Sequence, residues 1–377
     1  MLVSLFACHS QRKEETNTMV SQEPATATVT PLTTVQHAQN FKLTYHKKFK
    51  KLQVFYKGDT LVYYLIAKGE TLPEGINKEQ STIIRTPVEK IALTSTTHAS
   101  LCSFLEATDA IHTVTCGEYF YDSTLLQALQ SGNIQSFGNS VSINQELLFA
   151  QQPEVMIATS WSETQLEIYR MINEAGIPVV LNAEWLETSA LGKAEWVKVM
   201  AALLDKEALA NEKFQKVEEE YQRLAKLVEN TPQSPTVICG VPYKGTWFMP
   251  GGKSFMSRLL LEAAGNYPWQ QDSTTGSMQL DFEAVYPVGV KADKWIITSN
   301  VQSLPELQAR DERFTDFQAY QQQEVYSNTK RTNPTTQGND YWESGVTHPH
   351  LVLADFIKIL HPERLPEHKM HYFERLN

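Results

Sequence analysis

Cysteine is scarce in this chain. Its four residues, Cys8, Cys102, Cys116 and Cys239, show no Cys-x-x-Cys spacing. Neither a zinc ribbon nor a thioredoxin-like redox motif can be built from that set. Cys102 and Cys239 sit in apolar surroundings and read as small core residues. No apolar run approaches the roughly 20 residues that a membrane-crossing helix needs. Positive charge is short as well: 33 Lys and Arg against 43 Asp and Glu leave a net charge of −10. With no basic stripe carrying interleaved aromatics, that balance argues against nucleic acid as a partner. The excess of acid reads as ordinary solvated surface.

Catalytic motifs are lacking too. Gly251-Gly252-Lys253-Ser254 matches the end of a phosphate-binding loop, but Trp247 occupies its first glycine position. There is no Gly-x-Ser-x-Gly elbow. The acid pair Glu14-Glu15 lies in a polar stretch near the start of the chain. His348, His350, His361, His368 and His371 match no closed metal-site spacing. The reading is of a protein that is not an enzyme and has no resident cofactor or metal centre. Its rival, a two-lobed enzyme handling metal chelates, finds no chemistry here to use.

What the chain does have is a long helical stretch from Lys193 to Val228. Glu195, Trp196, Val199, Met200, Leu203 and Leu204 share one face. Asp205 breaks the pattern and is expected to cap a second helix, along which Leu209, Phe214, Val217, Tyr221, Leu224 and Val228 recur. Such a pair is too long for an ordinary connection. It reads as a rigid spine between two lobes, with the function in the cleft between them. The length of 377 residues provides for both.

The remainder divides around that spine. Residues 1–8 end an apolar run in Ala-Cys, like the tail of a lipoprotein signal, with Cys8 as the lipidated residue; no basic stretch precedes the run. Residues 9–40 read as a disordered leash. Alternating apolar residues in 41–87 predict a small antiparallel sheet. From there, strands alternate with helices in 88–192, and again in 231–377 after the spine at 193–230. That grammar predicts an α/β fold with two Rossmann-like lobes, in which ligand groups sit at the carboxyl ends of the strands.

The most specific signal is an internal pair. Asn144-Gln145-Glu146-Leu147-Leu148 leads through Pro153-Glu154 to the strand Val155-Met156-Ile157. Asp281-Phe282-Glu283-Ala284-Val285 leads through Ala292-Asp293 to Trp295-Ile296-Ile297. With the first strand and its loop, the Ala175-Gly176-Ile177-Pro178-Val179 approach and the spine, the chain from about Val88 to Leu360 resembles periplasmic substrate-binding proteins of ATP-driven importers for iron-siderophores, haem and cobalamin. The Asn339–Gly345 run and the N-terminal sheet are similar to the long, Bacteroidetes-like form. The resemblance implies a rigid helix joining two lobes and capture of a small-molecule metal chelate, a ferric siderophore or alternatively cobalamin or haem. It also implies one glutamate per lobe docking onto arginines of the permease, and Glu146 and Glu283 fall at those places. A monomer in the periplasm is expected, touching the membrane through its lipid anchor only.

Aromatic residues on the loops at strand ends suit a wall for a ring-bearing ligand. The expected ligand-binding set is His98, Tyr119, Tyr121, Trp161, Trp185, Tyr243, Trp247, Arg331, Tyr341 and Trp342, whereas Phe120 and Phe248 read as core. His98, just after the first strand, is the histidine best placed for a metal-bound ligand. Lys244, Lys330 and Arg331 are cations available to an anionic ligand. Glu184 either bonds ligand amides or starts a helix.

Overall fold

The computed structural model describes residues 29–77, 81–139 and 142–377. The run ending at Cys8, and most of the expected leash, lie outside the described residues. At its far end the leash is corrected. The Glu195 carboxylate accepts the backbone N–H groups of Gln36, His37 and Ala38, and that of Glu187 accepts those of Gln39 and Asn40. Both acids are buried. Carboxylates taken out of water need donors, and residues 36–40 supply them from the backbone. The leash's Thr-rich composition gave no hint of this.

The small sheet has the strand order Phe41–Tyr45, Lys50–Tyr56, Asp59–Ala67, Thr82–Thr86. The first three strands are antiparallel, and the fourth, which alternation did not reveal, runs parallel to the third. Its inner residues Phe41, Leu52, Val54, Tyr63 and Ile84 belong to the same core as the first lobe. The Tyr63 hydroxyl accepts the Leu181 N–H at 3.1 Å, which ties the sheet to an edge strand of that lobe.

The first lobe is a five-stranded parallel sheet in the order Gln135–Ser136, Ile111–Val114, Ile91–Leu93, Val155–Ala158, Val179–Leu181. The last three strands are buried along their whole length, as parallel strands covered on both faces must be. Helices start after polar caps: Ser95, Asp122, Asn144 and Ser162 each accept a backbone N–H of the first turn.

The spine is three helices, Ala190–Glu195, Val197–Leu204 and Glu207–Val228. Asp205 ends the second in a left-handed conformation at φ 55°. It does not cap the third, as expected from sequence, because its carboxylate is drawn to Lys50 Nζ at 2.6 Å. The 22-residue third helix is roughly 33 Å long at the usual rise per residue. Ala210 and Phe214 enter the first lobe's core, and Tyr221, Leu224 and Val228 enter the second's. One helix is thus part of both cores.

The second lobe has parallel strands Val237–Cys239, Lys294–Ile297 and Val325–Ser327, closed by the antiparallel edge strand Glu374–Arg375. Residues 243–252, which from their aromatic and glycine content read as a loop, instead contribute to a three-stranded antiparallel sheet of Pro242–Tyr243, Thr246–Pro250 and Ser277–Leu280. Lys244 at φ 50° and Gly245 at φ 82° make the two-residue turn that pairs Tyr243 with Thr246. The closing helix Pro349–Leu360 packs along the spine, and its buried Asp355 accepts the N–H groups of His371, Tyr372 and Phe373, which holds the C-terminal segment.

Candidate functional site

The start of the Thr96–Phe104 helix, the spine, the Phe255–Glu262 helix and the segment before the closing helix meet at one pocket. It is lined by Thr97 from the first lobe, Ala190 and Lys193 from the spine, and Phe255, Tyr341, Trp342 and Val346 from the second lobe. Its enclosed space is small, ≈ 50 Å³, and the rest opens to solvent. Tyr341 is nearly buried and packs edge-on to Trp342 at 4.8 Å; Trp342 is half exposed. The wall is aromatic and aliphatic, with a single charged side chain, Lys193.

Two of the expected ligand residues, Tyr341 and Trp342, therefore lie in this pocket. Trp161 and Trp185 form a pair with ring centres 4.4 Å apart on neighbouring strand ends of the first lobe, Trp161 largely exposed. The Trp185 indole N–H has no acceptor among the described residues. Tyr243 is exposed at the hairpin turn with Lys244 above its ring at 5.2 Å. Tyr119 is half exposed.

Other assignments are corrected. Trp247 is 0% exposed, its indole N–H donating to Cys239 O at 2.7 Å within a cluster of Trp295, Phe314 and Phe317. Phe248, read as core, is half exposed. The reason is the period of a strand: the hairpin turn fixes Trp247 inward, so its neighbour must point out. His98 is also fully buried, its Nε2 bonded to Thr159 Oγ1 at 3.0 Å. Burial pushes its pKa down to about 3, so it is a neutral tie between two strand ends with no ligand-facing surface. Arg331 is not a free cation: its Nε donates to Asp340 Oδ2 at 2.5 Å, and its guanidinium lies 4.9 Å from the Tyr121 ring.

Arg331 belongs instead to a strap, and Tyr121 is part of the first-lobe surface it lands on. The second lobe's segment from Arg331 to Thr347 reaches onto the first lobe. Thr336 Oγ1 donates to Phe120 O at 2.9 Å, and the Thr347 and Ser100 hydroxyls are 2.8 Å apart. The Glu343 carboxylate accepts the N–H groups of Tyr121 and Asp122 at 2.8 and 3.0 Å. Burial pushes the Glu343 pKa up to about 7, with the two N–H groups opposing and Asp340 and Asp122 adding to the rise. Gly338 is needed at the crossing, since a Cβ there would meet the Tyr119 and Phe120 carbonyl oxygens at 2.5 Å.

Glu146 and Glu283 are exposed and equivalent, each in the first turn of a helix capped by the side chain two residues before it, Asn144 or Asp281. Glu283 lies 3.7 Å from Arg313, whereas Glu146 has no ion-pair partner among the described residues. Sequence reasoning missed Lys193, Thr97 and Phe255. Lys193 was legible only as the start of the spine, Thr97 only as part of a polar loop and Phe255 only as the core side of a helix; nothing local marks them as neighbours.

The family model described as periplasmic binding protein matches residues 91–332, more than half of the 377-residue chain. An uncharacterized lipoprotein of Methanocaldococcus jannaschii is 24% identical over 98% of this chain and 90% of its own length. A possible iron-binding periplasmic solute-binding protein of Staphylococcus epidermidis superposes with a TM-score of 0.56 at 16% identity, covering 73% of this chain and 99% of that one. A molybdate periplasmic binding protein of Haemophilus influenzae, bound to molybdate, gives 0.57 at 15% identity over 77% and 91%. Two lobes, a spine of helix common to both cores and a match across both lobes agree: the chain belongs to the periplasmic binding protein family.

Proposed function

We propose that this protein captures an iron chelate, a ferric siderophore, in the interlobe pocket and delivers it to the permease of an ATP-driven importer without chemical turnover. The observation that carries the reading is the pocket itself, built jointly by both lobes and the spine and walled by Phe255, Tyr341 and Trp342. A mostly apolar lining with few polar groups suits the faces of a chelate, whose bulk would extend from the small enclosed space into the open cleft. The metal arrives inside the cargo, and the protein supplies walls and charge. Trp161, Trp185, Tyr119 and Tyr243 extend the aromatic surface beyond the pocket.

Delivery rests on Glu146 and Glu283. Each lies near a positive helix end, and two such carboxylates on separate lobes would orient the protein on a basic permease surface. The iron-binding and molybdate-binding neighbours support transport of metal-bearing or oxyanionic solutes. The lipoprotein relative supports an anchor at Cys8, which would hold the protein at the outer face of the membrane as a monomer. A thermal-shift screen with ferric catecholates, ferric citrate, ferric hydroxamates, cobalamin and haem tests the reading. A ligand at a hundredfold its Kd adds about 2.7 kcal/mol to stability. Stabilisation by a ferric chelate, recovered unaltered, is expected. Stabilisation by cobalamin or haem alone moves the cargo, and no stabilisation by any of them overturns the proposal.

A further inference from the structure

Lys193 stands out among the pocket's lining because nothing neutralises it at short range. Its ammonium lies 4.0 Å from the centre of the Phe255 ring. Among the described residues it has neither a hydrogen-bond acceptor nor an ion-pair partner. The two acids that act on it from a distance are Glu184 and Glu187. Glu187 is spent elsewhere: its oxygens accept from Gln39 and Asn40 N–H and from the Trp196 indole. Glu184 is 5% exposed, and its Oε2 has no partner among the described residues. Burial pulls the Lys193 pKa below its usual value, with those two carboxylates pushing the other way.

An ammonium partly withdrawn from water, as Lys193 is, gains from an oxygen that replaces its lost hydration. An aromatic face supplies part of that replacement on one side only. The open side here is the pocket. Lys193 also sits on the spine and not on a lobe, so its position holds whatever small tilt the lobes undergo. We propose that Lys193 is the anion anchor of this pocket and that the solute presents an anionic oxygen to it, as a carboxylate, a catecholate or a free oxyanion. This deepens the solute-binding reading and rests on it. The competing role, a clamp holding the Phe255 helix to the spine, needs the lysine's stem and ring contact but no ligand.

Calorimetric titration of the wild-type protein, Lys193→Met and Lys193→Arg separates these. The probes are ferric tris-catecholate, ferric citrate, molybdate and a neutral ferric trihydroxamate. Wild type is expected to bind an anionic probe more tightly than the neutral one. Lys193→Met should weaken the anionic probe by roughly ten- to a hundredfold, the loss typical of a hydrogen bond to a charged group. Lys193→Arg should hold within a fewfold of wild type. Binding of the chelates but not molybdate places the anion on a chelate, and the converse places it on a free oxyanion. Equal binding of an anionic probe by wild type and a folded Lys193→Met overturns the anchor. So does a wild type that binds only the neutral chelate, a result independent of whether any variant folds. A wild type that binds none of the probes removes the solute-binding reading itself, and the anchor with it.

Discussion

At the residue scale, two tryptophans separate core from wall. Trp247 is locked among Trp295, Phe314 and Phe317, so Trp247→Ala should cost about 3–5 kcal/mol in denaturant unfolding. Trp161 is largely exposed, and Trp161→Ala should leave unfolding within about 0.5 kcal/mol of wild type. If it packs on ligand, binding should weaken by about 1–3 kcal/mol. Equal stability of the two variants would contradict the assignment. In sequence the two were hard to tell apart, since each stands beside polar residues. A strand's register decides the matter, and the turn at Lys244-Gly245 that sets it was read as part of a loop. His98 was equally opaque: position after a strand was visible, but complete burial is a property of the packed lobe. Glu146 and Glu283 were legible because their context is local, a cap residue, a first-turn acid and a following strand.

At the element scale, the strap from Arg331 to Thr347 fastens the second lobe to the first, and Glu343 is its carboxylate contact. Its pKa is raised from the ordinary 4.5 to about 7, so protonation favours the folded state. The stability this contributes is complete below pH 4.5 and is lost as pH rises through 7. Glu343→Gln should therefore flatten the fall in unfolding free energy across that window, by on the order of 1–3 kcal/mol. Matched denaturant titrations at several pH values check this, and parallel profiles for the two proteins would contradict it. Gly338→Ala should push the strap off the Tyr119 and Phe120 carbonyls at a cost of about 1–3 kcal/mol. Amide exchange at Tyr121 and Asp122 should then speed up, and unchanged protection there would contradict the strap. Little of this element was legible. Its Asn339–Gly345 portion was noticed only by resemblance, because contacts spanning more than two hundred residues leave no periodic trace. The spine, by contrast, was plain from its 3.6-residue period, although its first helix and the role of Asp205 were not.

At the scale of the whole molecule, the spine shared by both cores and the strap across the cleft restrain hinge motion. Ligand should tilt the lobes only slightly. Solution scattering with and without saturating ferric chelate should give nearly the same radius of gyration, and a marked decrease would contradict a rigid spine. Under the proposed function, capture and delivery are physically separate, the first in the pocket between the lobes and the second at two exposed first-turn acids. Measuring radioiron uptake and chelate affinity on the same Glu146→Lys/Glu283→Lys protein tests that division most directly. Both side chains are exposed, so loss of their first-turn carboxylates should cost no more than about 0.3–1 kcal/mol each. Like charge set against permease arginines should abolish uptake, while affinity for the chelate stays at the wild-type value. Full uptake by the folded double variant would contradict delivery through these glutamates.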